Sequence, residues 1–443
     1  MSTTEADVVI PGPLGQPPRP ARSATVRRLF RASSIVRSVL HRVFDVVLAS
    51  LMTLLALPIL IVRGAVAYAT TGSVFERESQ LGMFRSTFDR LRFAGRGFGK
   101  NTAVLFNILR GEMSFVGPRP LSPAETSCLS AAAFARFLVR PGLVSPYSIR
   151  KRSRIAYENE FDTDSEFVYS ENIKSNLGLL ARSIPSSVIG SAESLDAPPI
   201  FDIFGVSIVN TTMDSAVQWI TQRARSDKQS QVCFVNPDSL NIAYKHKRYT
   251  EVLQASRVFP DGIGINVACR LLGTSLVANV NGTDMFPRLC KVAAEERVPI
   301  FLLGARPGIA QAAADAMSEK YPDLVVAGTR HGYFNADEEG GVIDEINRSG
   351  AKILFIAFGN PRQEIWFAEN SERLAPRVGI GVGGLFDFYS GRIPRAPMWM
   401  REIGLEWTWR LLQEPRRMWR RYVVGNPLFV FRVWKQAKGA SSP

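Results

Sequence analysis

Histidine and cysteine are scarce in this chain, with three His and four Cys among 443 residues. Cys128, Cys233, Cys269 and Cys290 lie far apart and form no C-x-x-C pair, which excludes a structural zinc site or redox dithiol and fits a reduced, cytoplasmic interior. His41, His246 and His331 are equally scattered and read as solvated or core residues rather than metal ligands. No G-x-G-x-x-G and no P-loop lysine occur, so neither a dinucleotide enzyme nor an ATPase is supported. Zinc-finger, helix-turn-helix and RNA-binding signatures are missing too. The basic balance, +14 with a pI near 9.9, is therefore not read as nucleic-acid binding. One local absence says more than these: between Asp89 and Glu112 there is no acidic residue at all.

What is present is basic and apolar. At the usual roughly 100–200 residues per domain, the length predicts two or three domains. Arginines crowd two places, the run from Arg19 to Arg42 and the tail from Arg395 to Lys438, where Trp399, Trp407, Trp409, Trp419 and Trp434 are interleaved. Both have the chemistry of a membrane surface. Residues 1–34, rich in Pro, Arg, Ser and Thr, are expected to be disordered. The run "VVLASLMTLLALPILIV", Val46 to Val62, would make roughly 26 Å of helix, short for a hydrocarbon core of about 30 Å. Pro58 is expected to kink it. A signal peptide is disfavoured because no small-residue cleavage site follows. The upstream arginines place the N-terminus in the cytoplasm. A re-entrant helix over 46–62 is the favoured reading, against a plain span or a buried core helix.

"SAESLDAPP", Ser191 to Pro199, opens a linker expected over 191–200. From Phe201 onward short apolar runs alternate with helix-period segments. "QVCFV", "RVF", "VPIFLLG", "LVVAG", "AKILFIAFG" and "RVGIGVGG" are the strand candidates. This predicts an α/β domain, a Rossmann-like, mostly parallel sheet with helices on both faces, preceded by a membrane-associated and mainly helical domain over 35–190. Ligands of such sheets bind beyond the carboxyl ends of the strands. There stand Asn236-Pro237-Asp238, Pro260-Asp261-Gly262, Ala305 to Gly308, and Asn360 to Glu364. Each alone is an ordinary turn sequence. Their convergence on one rim makes them site candidates.

Over residues 201–443 the landmarks "FGVSI", "VNPDS", "FPDGIGI", "NGTDMF", "FLLGARPG", "HGYF", "FGNPRQE", "GVGGLFDFYSG" and "RAPMWMREIGLEWTWRLLQEPRRMWRRYVVGNP" follow in order. This half resembles the WecG/TagA/CpsF glycosyltransferases. The resemblance implies inverting transfer of a hexose or N-acetylhexosamine from a UDP-sugar donor to a polyprenyl-diphosphate-linked sugar acceptor. It implies no metal and no cofactor, and a place at the cytoplasmic face of the bacterial inner membrane, in contact with membrane lipid. Asp261 matches the general base. Asn236, Thr283, Asp284, Asn360 and Gln363 match pocket positions. The loop from Gly304 to Gly308 would offer N–H groups to the donor diphosphate. Arg410, Arg417 and Arg421, in the basic and aromatic appendage 395–443, would help the diphosphate leave. Many members carry Thr and Arg where this chain has Phe234 and Asn279, which bears on the donor sugar. A homo-oligomer is left open.

The first half resembles the bacterial sugar transferases that load hexose-1-phosphate onto polyprenyl phosphate. "RVFDVVLASLMTLLALPILIV" matches their membrane helix, "FRS" at Phe84–Ser86 their basic motif, and "NILRGEMSFVGPRP" with "FLVRPGL" their most distinctive region. The resemblance implies an Asp-Glu pair ahead of the Asn-x-Leu-x-Gly segment, with Asp as nucleophile and Glu as magnesium ligand. Here the chain is several residues short at that point, Lys100, Asn101 and Thr102 stand nearby, and in no alignment is a carboxylate available. Phosphoryl transfer through an aspartyl intermediate needs that carboxylate. The first half is therefore expected to be a degenerate transferase in which Arg119 could still bind phosphate, and the activity is expected to lie wholly within 201–443. The alternatives are a bifunctional priming and extending enzyme, or a non-catalytic scaffold for lipid-linked sugar.

Overall fold

The computed structural model describes residues 24–129, 131–170, 172–189 and 195–439, with short pieces at 9–10 and 19–20. Most of the stretch expected to be disordered, and the start of the expected linker, lie outside these. The chain forms two compact units, residues 1–148 with 158–183, and residues 149–157 with 184–443.

In the first unit, helix α1 (Ala24–Thr71) runs well beyond 46–62 in both directions and is uninterrupted at Pro58. Its segment Ser38–Thr71 is long and apolar enough to cross a membrane. Asp45, Ala49, Leu60, Arg63 and Ala67 are buried along one stripe, while Leu51, Leu54, Leu55, Ile61, Val62 and Val66 are exposed. The buried spacing is that of one helix face. This stripe packs on the antiparallel pair β1 (Phe75–Leu81) and β2 (Thr87–Phe93) and on helix α2 (Val104–Arg110). Polar anchors join the apolar ones. The Arg63 guanidinium donates to the carbonyls of Ala94, Gly95 and Arg96 at 3.0, 3.2 and 3.3 Å. Arg42 donates to those of Ile108 and Leu109 in the last turn of α2 at 2.6 and 2.7 Å. A short parallel pair, β3 (Ser114–Val116) with β4 (Gly142–Val144), completes the sheet structure beside the expected helices. Helix α3 (Glu160–Ser170) follows.

The second unit opens with an antiparallel hairpin, β5 (Ile200–Ile203) and β6 (Val206–Val209), and helix α4 (Met213–Ala224). Then strands and helices alternate: β7 (Ser230–Val235), α5 (Pro237–Ala243), α6 (Lys247–Ala255), β8 (Arg257–Pro260), α7 (Ile263–Leu271), α8 (Gly282–Glu295), β9 (Ile300–Gly304), α9 (Ile309–Lys320), β10 (Val326–Arg330), α10 (Ala336–Arg348), β11 (Ile353–Ala357), α11 (Arg362–Asn370), β12 (Val378–Gly381) and α12 (Leu385–Tyr389). The six strands from β7 to β12 form one sheet, ordered β8-β7-β12-β11-β9-β10 and parallel throughout. All six expected runs are strands. Because side chains alternate along a strand, Val232, Phe234, Leu302 and Phe355 face one core with α4, α8 and α9. Cys233, Val235 and Val258 face a second core, and Phe301, Leu303 and Leu354 a third.

The appendage continues through α13 (Met398–Glu402), α14 (Glu406–Gln413), α15 (Pro415–Trp419), a π-helical turn at Arg420–Val424 and α16 (Gly425–Ala437). It is more than a surface stripe. Phe429 and Val433 of α16 are fully buried in the second core, among residues of α5 and α7.

Candidate active site

Strand β8 ends at Pro260, and Asp261 follows at the carboxyl rim, its N–H donating to the Val235 carbonyl at 2.8 Å. Gly262 has φ +90°, a region L-residues avoid, and so lets the chain swing from Asp261 into α7. Gly264 then passes so close to Pro237 that a Cβ would lie 2.2 Å from its ring. This contact brings the ends of β7 and β8 together. Asn236 caps α5: its Oδ1 accepts from the N–H groups of Asp238 and Ser239 at 3.1 Å each. Its Nδ2 lies 3.4 Å from Asp261 Oδ2. The Asn279 Oδ1 accepts from the Gly262 N–H at 2.7 Å.

These residues floor a cavity of about 320 Å³, at the lower end of the roughly 300–1,000 Å³ usual for small-molecule sites. Thr283 and Asp284 from α8 line it, as do Arg401, Glu406, Trp407, Arg410, Arg421 and Tyr422 from the appendage. Burial raises the proton affinity of Asp261. The Asn236 amide opposes that shift, Glu406 adds to it, and the guanidinia of Arg421 and Arg410 oppose it again. Arg421 lies 3.3 Å from Asp238 Oδ2. Arg410 sits over the Phe388 ring at 5.3 Å and against Gly384, and among the described residues it has no carboxylate partner. The arrangement can accept a proton at Asp261 and neutralise an anion at Arg410 and Arg421.

Other residues singled out from the sequence are placed differently. Asp284 lines the cavity, but its carboxylate is held by Arg395 at 2.6 and 2.9 Å, by Arg401 at 3.3 Å and by Asn281 at 2.8 Å. Burial works against that charge, yet its partners hold its pKa at about 2. Gln363 is buried outside the cavity lining, where its Oε1 accepts from the N–H groups of Gly359 and Gly383 at 3.1 and 2.9 Å, and its Nε2 donates to Asn360 at 2.8 Å. It joins the loops that follow β11 and β12, and so supports the Gly383–Gly384 turn beneath Arg410. Gly304 ends β9 and Gly308 follows it, two strands separate β9 from β7, and like Asn360 these glycines do not line this cavity. Arg417 is exposed and pairs with Glu414 at 3.2 Å. Phe234 is core, against Phe259 and under Gly282. Glu364, next to Gln363, is a buried carboxyl that burial pushes up to about 7.

The sequence reading missed the part played by Asn279, which it noted only as a departure, and the walls formed by Trp407 and Tyr422. It also missed Ser153 and Ile155, which line the cavity from outside residues 201–443. No local signal marks that pair. In the first unit, Arg119 pairs with Glu160 at 2.9 Å and Glu125 at 3.0 Å. Glu112 accepts from the buried Asn107 at 2.6 Å. Among the described residues no group of three or more His, Cys, Asp or Glu could hold a metal ion.

Residues 201–443 match the glycosyl transferase WecG/TagA/CpsF family. The chain belongs to that family. It is a glycosyltransferase. The N-acetylglucosaminyldiphosphoundecaprenol N-acetyl-beta-D-mannosaminyltransferase of Bacillus subtilis (strain 168) is 34% identical over 239 residues, 53% of this chain and 91% of the relative. The protein of the same description from Staphylococcus aureus (strain MRSA252) is 30% identical over 237 residues, 53% of this chain and 92% of the relative. Residues 101–190 match the bacterial sugar transferases. That match begins within the stretch without acidic residues and includes the Asn107 to Pro120 region.

Proposed function

We propose that this glycosyltransferase moves a sugar from a UDP-sugar, with inversion and without a metal, to a polyprenyl-diphosphate-linked sugar at the cytoplasmic face of a bacterial membrane. The observation that carries this reading is a carboxylate of raised proton affinity, Asp261, on the same cavity as Arg410 and Arg421. Asp261 takes the proton of the acceptor hydroxyl while that oxygen attacks the anomeric carbon. The bond from that carbon to the diphosphate oxygen breaks, and the two guanidinia receive the UDP that departs. A half-buried carboxyl suits this role better than a solvated one of pKa about 3.9, which is a weak base. Asn236 orients the carboxylate, Thr283 borders the sugar, and Asp284 holds the wall through its arginines.

The relatives' names supply the acceptor class, a lipid diphosphate carrying N-acetylglucosamine, and suggest an N-acetylhexosamine as the sugar transferred. Helix α1, with its exposed apolar face, is the proposed anchor, joined by the exposed Trp399, Trp419, Phe431 and Trp434 of the appendage. The first unit is proposed to be a degenerate sugar transferase. The two departures that favoured a scaffold carry little weight, since Phe234 serves the core and Asn279 holds the turn after Asp261. The test is radiolabel transfer from a panel of UDP-sugars to synthetic lipid-diphosphate N-acetylglucosamine, with and without chelator. Transfer of one sugar, undiminished by chelator, is expected. Folded protein that transfers nothing across the panel refutes the proposal.

A further inference from the structure

We propose that residues 149–157, which precede the family-matched region, are part of the glycosyltransferase site, with Tyr157 a positioning residue for Asp261 that acts through Asn279. The inference rests on the reading of Asp261 as the base. The chain leaves the first unit after Ser148, belongs to the second over Ile149–Tyr157, and returns to the first at Glu158. This strap is bonded along its length. Arg150 pairs with Glu402 at 3.3 Å, and the Ser153 hydroxyl donates to the Glu402 carbonyl. The Arg154 carbonyl accepts from the Asn279 N–H at 2.8 Å.

At its end the Tyr157 hydroxyl donates to the Asn279 carbonyl at 2.5 Å and accepts from Asn281 Nδ2 at 3.0 Å. The Arg288 guanidinium lies over its ring at 4.8 Å. Asn279 passes the constraint on, its side chain holding the Gly262 N–H one residue beyond Asp261. Burial keeps the phenol protonated, and so a donor, at any physiological pH. The strap thus grips both ends of the 279–281 turn that fixes the base. Without the hydroxyl, the Asn279 carbonyl keeps the Asn281 N–H at 3.1 Å and the Asn281 amide keeps Asp284 at 2.8 Å, but this link from the strap to the turn is lost. The turn can then shift, and displacement of a catalytic group by about 1 Å can slow turnover roughly 10²-fold.

The test is Tyr157→Phe in the full-length chain, which keeps the ring and deletes the hydroxyl. Turnover should fall about tenfold or more while the KM for the UDP-sugar stays within about twofold, the signature of a misplaced base rather than a damaged binding site. Asn279→Ala should cause a comparable loss, and the double variant little further loss, because both act on one path. Hydrogen exchange at residues 261–264 should quicken in Tyr157→Phe with no change in β9. Turnover of Tyr157→Phe within twofold of the parent, or losses that multiply in the double variant, overturns the inference. If Tyr157→Phe does not fold, Asn279→Ala reads the same path from its other end, and parental turnover there overturns it equally. If the parent transfers no sugar, the functional reading fails instead, and hydrogen exchange decides: unchanged protection at 261–264 rejects the strap.

Discussion

Asp261→Asn keeps the shape of the turn and the neighbours of Asn236 while removing the proton acceptor. Turnover should fall by roughly 10²- to 10⁴-fold, the usual consequence of losing a general base, with donor affinity nearly unchanged by calorimetry. The pH profile has a definite sign. The proposed base would work only when ionised, and burial raises the Asp261 pKa above the ordinary carboxylate value, so activity should climb with pH through that raised value. Arg410 holds the carboxylate pKa down. Arg410→Met should therefore move the acidic limb to higher pH. It should also lower kcat/KM roughly 10- to 150-fold, since a hydrogen bond to a charged group is worth about 1.5–3 kcal/mol. A limb that stays in place, measured by initial rates from pH 5 to 9, would separate Arg410 from the base.

Among the elements, the appendage is held at two places of different chemistry. Asp284 near the start of α8 receives Arg395 and Arg401, all three largely withdrawn from solvent. Removing one partner of a buried ion pair strands the other charge, at a cost of about 3–5 kcal/mol. Asp284→Asn should therefore lower stability by about 3 kcal/mol, the lower end because Arg395 keeps Glu406 at 3.0 Å. The folded-state pKa of Asp284 is depressed to about 2 from 3.8, so its contribution is complete above 3.8 and is lost as pH falls toward about 2. Thermal melts at pH 7 and pH 2.5 should show the parent–variant gap narrowing in acid. The second hold is apolar. Because α16 buries Phe429 and Val433 in the core, truncation after Ser390 should destabilise the whole second unit as well as abolish transfer and weaken membrane binding. Denaturant melts of the truncated chain should show a lower midpoint.

For the whole molecule, matches to two different sugar-transferase families lie in one chain, and the first half is proposed to lack the carboxylate that phosphoryl transfer through an aspartyl intermediate requires. The full-length protein should form no polyprenyl-diphosphate-sugar from a UDP-sugar and polyprenyl phosphate, and release no UMP, with or without magnesium. Detection of UMP under those conditions would restore the bifunctional reading. The proposed role of the first unit is to anchor the chain through α1, so that a membrane-bound acceptor meets it at a raised effective concentration. A chain that begins at 201 lacks Ser153 and Ile155 of the cavity wall and the Tyr157 hydroxyl, and on the strap proposal it should turn over more slowly than the full-length chain.

The α/β class and all six sheet strands could be read directly, because a strand buried on both faces must be a short apolar run, and such a run is visible in five or six consecutive residues. Asn236 and Asp261 were legible for a related reason, since parallel strands bring their carboxyl ends to one rim. The order of strands was not legible, and it alone removes Gly304 and Gly308 from the cavity that holds Asp261. Strand parity was not legible either, so the departure at Phe234 was taken to bear on the donor sugar when the side chain faces the core. Partners far away in the chain were the least readable. Asp284 is satisfied by Arg395 at a separation of 111 residues, Arg119 by Glu160 at 41, and Asn279 by Tyr157 at 122. Local sequence carries the periodicity that makes an element. It carries no record of which polar group, across a hundred residues of chain, will meet another once both lose their water, and at this site that meeting determines which carboxylates and guanidinia stay free for chemistry.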